Sequence, residues 1–411
     1  MPEGLGFGGI AIVAAVAFLS PFVLGLFPRF RLPSVVLEIV LGIVIGPSVL
    51  GWVEVDPVIE VLALIGLGFL LFVSGLEVEL DRLSGRALRL PLASYVIGLA
   101  VAFVIGLGLA GADLVESPAL IAIALTATSL GLIVPVLKDS GQAEGDFGQL
   151  VIVGGTIADF STVILLTLFF SGESSDAGTT LLLLGLFVAL VAVVGLTLGG
   201  IGRLPRVMGE LMRLQDTTAQ IRIRGAVALL MVSLALASRF GLEAILGAFL
   251  AGAMLGRLDR DVTMGHPGFR TKLEGIAYGF VVPVFFVTSG IMFDLQALFA
   301  DAGTLVLVPI FLAALLLARG VPALLYRAAV GGRRTLAAGL LQATALPLVV
   351  TTAMIGLSLG LLDEATASAL IAAGLLSVLL FPLLALTILQ RESPDRIVEV
   401  PEAQTEAHDV S

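Results

Sequence analysis

The sequence predicts an all-α polytopic membrane protein with about thirteen transmembrane helices. Of its 411 residues, 58% are hydrophobic and only 13% charged, and the mean hydropathy is +1.12. A soluble domain carries about 25% charged residues, so this chain cannot cover a soluble surface. The apolar residues fall in long continuous runs, near the roughly 20 residues a helix needs to cross a bilayer. Strands of a membrane barrel would show short alternating runs instead. The basic residues return to one side at every second loop. The chain has no cysteine and two histidines, which sets aside disulfides, thiolate chemistry and a histidine-based metal or catalytic centre. A soluble enzyme and a nucleic-acid binder are excluded by composition, and the net charge of -10 says little for a chain lying mostly in lipid.

The first apolar run, 7–27, follows a segment holding Glu3 and no base. A cleavable signal needs a positive flank, so a permanent span is expected. The second, 33–52, contains Glu38 and stops at Gly46-Pro47-Ser48, a helix terminator. The third, 58–76, ends at Glu77 and Glu79. Runs 90–112 and 117–137 follow, the second interrupted by Thr126, Thr128 and Ser129. Run 148–171 carries Asp159, and 179–201 is apolar throughout. Runs 221–239 and 243–256 come next; Gly247-Ala248-Phe249-Leu250-Ala251-Gly252 in the latter permits close helix packing. Run 274–292 starts beside Lys272 and Glu274, an expected interfacial pair, and ends before Asp294, an expected solvated or capping residue. Run 303–326 carries Arg319, 335–361 is interrupted by Gln342, Thr344 and Pro347, and 365–389 is the last. The transporter domain is thus expected over 1–390, with a disordered acidic tail over 391–411.

With the N-terminus outside, all of the 22 Lys and Arg residues except Arg239 and Arg319 fall on inner segments. That fixes the expected topology as N-terminus out, C-terminus cytoplasmic. A miscounted span would scramble the alternation.

Two short echoes suggest an internal repeat. Ala127-Thr128-Ser129-Leu130 in span five pairs with Ala343-Thr344-Ala345-Leu346 in span twelve, and Arg31-Leu32 before span two pairs with Arg239-Phe240-Gly241-Leu242 before span nine. Both are seven spans apart, and an odd offset inverts the second copy. Inverted repeats over about 7–171 and 221–389, linked by 179–201, are the arrangement of secondary transporters. The polar breaks in spans five and twelve then read as crossed, discontinuous helices lining an ion site. The plainer alternative is that Ser and Thr bond to their own helix and Pro347 only kinks it.

Two ionisable residues stand deep in apolar runs, Asp159 and Arg319. Each costs roughly 2.5–3.5 kcal/mol at a helix centre and is a functional candidate by default. Thr156 and Thr162 lie one turn either side of Asp159 on its face. A carboxylate among hydroxyls is a hard oxygen site suited to an alkali cation, and it can bind a proton instead. Competition between the two, exposed to alternate sides, suffices for exchange. A structural pair between Asp159 and Arg319, or a snorkelling Arg319, is the alternative. No GxxxxGK[ST] loop is present, and no nucleophile–base pair stands at membrane depth, so an enzyme is not expected.

In order and spacing, several blocks resemble the cation:proton antiporter-2 family, the sodium/proton and Kef-type potassium/proton exchangers. They are Leu37-Glu38-Ile39-Val40-Leu41-Gly42-Ile43-Val44-Ile45-Gly46-Pro47-Ser48, Leu71-Phe72-Val73-Ser74-Gly75-Leu76-Glu77, Thr128-Ser129-Leu130 with Pro135-Val136-Leu137-Lys138, the glycine-rich run from Gly247, and Pro283-Val284-Phe285-Phe286-Val287-Thr288-Ser289-Gly290. The resemblance covers residues 10–390. It implies thirteen spans, inverted repeats crossing at spans five and twelve, a homodimer, and an elevator-like motion. It matches the family's ion-binding Asp to Asp159 and its basic residue in span eleven to Arg319. There are departures. Ala158 stands where many members carry a second acid, Asn or Gln, which points to electroneutral exchange. The Gly-Glu pair common in span twelve is replaced around Ala343-Thr344-Ala345. No segment after 390 resembles the nucleotide-binding domain of Kef-type proteins, so gating by nucleotide or glutathione is not expected.

The expected function is exchange of Na+ or K+ for protons across a prokaryotic plasma membrane, with no cofactor beyond the transported ions. Asp159, Thr128, Ser129 and Thr162 are the expected cation or proton site, with Asp159 as the ligand of the monovalent cation. Arg319 is expected to compensate charge, and Thr126, Gln342, Thr344 and Pro347 to line the breaks. An organic-anion symporter on the same architecture and a non-transporting membrane sensor are the rival expectations.

Overall fold

The computed structural model describes residues 7–26, 33–77, 86–143, 145–170, 217–240, 244–259, 268–300 and 302–390, with Leu242 and scattered positions between 178 and 214. The expected linker helix 179–201 lies largely outside these residues, as do Arg31, Leu32 and the tail 391–411. The described residues are helical and contain no strand.

In chain order the helices are α1 (Phe7–Leu26), α2 (Ser34–Ile45), α3 (Pro57–Glu77), α4 (Arg86–Gly111), α5 (Pro118–Thr126), α6 (Leu130–Asp139) and α7 (Asp146–Phe170). The second half holds α8 (Ile221–Arg239), α9 (Ala244–Asp259), α10 (Phe269–Ile276), α11 (Val282–Ile291), α12 (Leu295–Ala300), α13 (Ala302–Leu315), α14 (Arg327–Val330), α15 (Gly332–Gln342), α16 (Pro347–Ser358) and α17 (Glu364–Gln390). Nine helical stretches among the described residues are long and apolar enough to cross a membrane, and three shorter apolar ones accompany them. The sequence-expected run 117–137 divides into α5 and α6, and 335–361 into α15 and α16.

Two spans change winding for an identifiable reason. A proline lacks the N–H that would bond four residues back, and its ring crowds that carbonyl. Pro283 follows a π-helical turn at Ala277–Val281. Pro322 opens a 3-10 turn, Pro322–Tyr326, directly after a π-helical turn at Leu316–Gly320. The second π turn contains Arg319. Such turns are rare and recur at functional sites.

The helices form two groups. α1, α2, α3, α8, α9, α10 and α11 pack mainly with one another, as do α4 to α7 and α12 to α17, while contacts between the groups are sparse. Within the first group the two halves of the chain mirror each other. α2 packs on α11 as α9 packs on α3. At the first crossing Gly42 lies against the Val287 carbonyl and Gly290 against the Ile39 carbonyl. At the second, Gly252 lies against the Phe72 carbonyl and Gly75 against the Phe249 carbonyl. Each helix offers a carbonyl and, three residues later, a glycine, and a Cβ at any of the four glycines would overlap the facing backbone. Small residues of this kind let membrane helices approach to backbone contact. Exchanging the repeats turns one crossing into the other, so the fold has two inverted repeats. Smaller expectations find their place here. Asp294 caps α12 through the Ala297 amide at 2.8 Å, and Ser48 donates to the Phe293 carbonyl at 2.8 Å while accepting from the Leu295 amide at 3.1 Å.

Candidate functional site

Pro347 bars a helix through Leu346, so α15 stops at Gln342 and α16 starts afresh. In the other repeat the hydroxyl-rich Thr126-Ala127-Thr128-Ser129 offers side-chain bonds that compete with a helix, and Ala127 is extended. The two breaks cross. The Ser129 amide donates to the Thr344 carbonyl at 2.9 Å, and the Thr128 hydroxyl donates to the Gln342 carbonyl at 2.8 Å. Each unwound segment thus satisfies backbone groups that helix ends leave open. Other expected residues turn inward on their own helices: Thr126 donates to Ile123 and Thr344 to Leu340, at 2.9 and 3.1 Å. Thr156, beside Asp159, likewise donates to Ile152 at 2.9 Å.

Arg319 lies against this crossing. It is 1% exposed and does not snorkel. Its Nε donates to Thr128 Oγ1 at 3.1 Å and a terminal nitrogen donates to the Gly154 carbonyl of α7 at 3.2 Å. Its guanidinium lies over the Tyr95 ring of α4, 5.6 Å from the centroid. Asp159 acts on it electrostatically. The Gln342 amide donates to the Tyr326 hydroxyl at 3.0 Å, and a side chain at Gly154 would strike that amide. Span eleven, span six and both broken spans are therefore tied into one network.

Asp159 borders a cavity of about 1060 Å³ between the two helix groups. Thr128, Ser129 and Pro347 border the cavity from the crossing, and Ser34, Ser74 and Tyr278 from the opposite group. Its lining extends to Pro33, Ser140, Glu274 and Leu386, all at the ends of spans that carry the basic segments. Asp159 itself is 6% exposed. A carboxylate bordering such a cavity can exchange a proton or a cation with solution on that side. Glu274 borders this passage, a placement beyond the interfacial pairing expected for it. The Glu77 side chain lies outside the described residues.

The structure brings Asp159, Thr128, Ser129 and Pro347 to the cavity and Arg319 to Thr128. Thr162 is fully buried on the Asp159 face of α7 and does not border the cavity. Four contributors escaped sequence reasoning: Tyr95, Gly154, Tyr326 and Ser377. Ser377 of α17 accepts from the Ala345 amide at 3.1 Å and donates to the Ala345 and Gly374 carbonyls at 3.0 and 2.7 Å, pinning the second break. A signal for the tyrosines existed. The chain has three, Tyr95, Tyr278 and Tyr326, and all three border this network or its cavity.

A family model described as sodium/hydrogen exchanger, transmembrane, matches residues 14–389. Over 398 residues the chain is 31% identical to the putative Na(+)/H(+) antiporter YjbQ of Bacillus subtilis, covering 93% of this chain and 63% of that protein. The chain thus spans less than two thirds of that relative's length. It is 29% identical over 273 residues to the Na(+)/H(+)-K(+) antiporter GerN of Bacillus cereus, covering 65% of this chain and 67% of that one. The sodium proton antiporter MjNhaP1 of Methanocaldococcus jannaschii has the same fold, with a TM-score of 0.62 at 20% identity over 93% of this chain and 98% of that chain. With nearly its whole helical region matched, the chain belongs to the transmembrane sodium/hydrogen exchanger family.

Proposed function

We propose that this protein exchanges a monovalent cation, Na+ or K+, for a proton by presenting Asp159 alternately to the two sides of the membrane. The observation that carries this reading is a nearly buried carboxylate bordering a large cavity, beside two crossed helix breaks. Asp159 takes either the cation or the proton, with oxygens from Ser129 and Thr162 completing the cation's shell. Thr128 acts mainly on Arg319, since its proton goes to Gln342 and one lone pair accepts from the guanidinium. Arg319 balances the carboxylate when the site holds neither ion. Ala158 supplies no second acid beside Asp159, which supports one proton per cation and an electroneutral cycle. The sparse contacts between the helix groups support their sliding past each other. The working unit is a homodimer in a prokaryotic plasma membrane. Its N-terminus lies outside, as the basic residues favour, and no cofactor takes part.

The test is reconstitution in sealed liposomes with an internal pH dye and an imposed proton gradient, adding Na+, K+ and Li+ salts in turn. Proton movement that follows one cation, and disappears in a folded Asp159→Asn protein, is the expected result. Exchange that survives Asp159→Asn sinks the assignment of Asp159. A folded wild-type protein that answers no cation sinks the antiport reading, and an organic-anion dependence then identifies a symporter.

A further inference from the structure

Glu38 is a buried acid that the proposed exchange does not use. It is 3% exposed and lies one turn in from the start of α2. The inverted repeat shows that the helix crossing does not need it. Gly42 of α2 and Gly252 of α9 hold equivalent places, each against a carbonyl of the facing helix, so Glu38 corresponds to Ala248. One crossing is thus built with a buried alanine where the other carries a carboxyl group. Among the described helices, α2 packs on α11 and α1 and, more lightly, on α17. α1 and α11 hold no ionisable residue. α17 holds only Glu364, at the end remote from Val378, Pro382 and Leu386, which border the cavity. Glu38 does not border the cavity itself. Ser34 and Val35, one turn before it on the same face, do, as does Phe286 of α11. A carboxyl group therefore stands within one helical turn of the cavity wall, in the helix group that faces that of Asp159.

We propose that Glu38 is a second proton-binding site, filled from the cavity past Ser34 and separate from the ion site at Asp159. A lone carboxylate taken out of water, with no cation beside it, becomes neutral by taking up a proton. The carboxylic acid fits among α1, α2 and α11 without a charge. Its ionisation leaves an uncompensated charge beside the crossing where Gly42 and Gly290 bring the backbones of α2 and α11 together. Water must then enter past Ser34 to solvate it, and the crossing loosens as pH rises on the side where the cavity opens. Glu38 makes the first helix group responsive to pH in this way. That role deepens the proposed antiport and rests on it; the proton site does not.

The test uses the purified full chain and its Glu38→Gln variant, which mimics the neutral acid. Infrared spectra at stepped pH read the carbonyl stretch of protonated carboxylic acids. A band present in the wild type at neutral pH, absent from Glu38→Gln and lost on alkalinisation is expected. Identical carboxylic-acid bands in the two proteins overturn the site. Thermal unfolding gives a second reading. A folded protein that holds this proton where the unfolded chain has released it loses stability as pH rises. The wild-type midpoint should therefore fall with pH over that range, and Glu38→Gln should lose that fall. A midpoint lowered equally at every pH in Glu38→Gln marks a broken ion pair and also overturns the site. Neither reading needs transport, so both stand even where the wild-type protein exchanges no cation and the antiport reading fails. In liposomes, the maximal exchange rate should decline on alkalinisation in the wild type and stay level in Glu38→Gln. The dependence of the cation KM on pH, set by Asp159, should be kept. Identical pH profiles of the maximal rate overturn the role in exchange.

Discussion

Arg319 and Thr128 meet across the inverted repeat, the guanidinium Nε donating 3.1 Å to the threonine hydroxyl. The same hydroxyl donates 2.8 Å to the Gln342 carbonyl, so one side chain ties span eleven to both broken spans. Thr128→Val keeps the shape and leaves a buried carbonyl and a charged donor short of a partner. A loss of about 2 kcal/mol in stability is expected, as for buried groups stripped of their partner. Exchange should fall at least tenfold, with Thr128→Ser close to wild type. Thermal unfolding and liposome assays of the two variants side by side check this.

Ser377 has three partners around the second break, all backbone. Ser377→Ala leaves the buried Ala345 amide without an acceptor, which costs about 1–3 kcal/mol. The loss should appear as a lower thermal midpoint together with a lower maximal exchange rate. Apparent cation affinity should change less, because Ser377 does not border the cavity.

At Gly252, helix α9 touches the Phe72 carbonyl of α3. Gly252→Ala must push the two backbones apart, an overpacking expected to cost about 1–3 kcal/mol. Gly290→Ala, at the mirrored crossing of α11 on α2, should give a loss of similar size. Gly279→Ala, where a Cβ meets nothing within 4 Å, should be tolerated. Unfolding midpoints of the three variants compare them directly.

In the proposed mechanism, proton and cation compete for the one carboxylate of Asp159. Each unit of acidification below that group's pKa should therefore raise the apparent KM for the cation about tenfold, because the protonated form must be ionised before it binds. The maximal rate at saturating cation should change far less. Cation titrations at several pH values in liposomes distinguish this from a general loss of activity, in which both parameters fall together.

Spans were legible because bilayer thickness forces long apolar runs, and Asp159 and Arg319 were legible because charge at that depth is costly. The breaks at Thr128 and Pro347 could be read because a hydroxyl cluster and a proline each disfavour a continuing helix. The partners of Arg319 could not. Gly154 contributes through its carbonyl, which every residue possesses, and Tyr95 lies in α4, far from Arg319 in sequence and unremarkable as an aromatic in an apolar run. The reciprocal glycine crossings were half visible. The run from Gly247 suggested close packing, but its carbonyl partner at Phe72 is fixed only by tertiary structure. The π turn at Leu316–Gly320 had a local cue in Pro322, although a proline by itself signals a kink as readily as a change of winding.

The cavity also decides where the membrane voltage acts. Its volume of about 1060 Å³ has room for on the order of thirty waters at roughly 30 Å³ each. A water-filled passage carries little of the potential drop, so most of the field falls across the protein between Asp159 and the far face. An ion reaching Asp159 by this route crosses little electrical distance. In the proposed cycle the full drop, worth about 2.3 kcal/mol per elementary charge per 100 mV, is met only when the loaded site changes sides. A carboxylate with a monovalent cation and a carboxylic acid are both neutral, and the fixed charge of Arg319 travels equally in each direction. In the proposed cycle of one proton for one cation, the membrane potential does no net work, and the ion gradients alone set the direction.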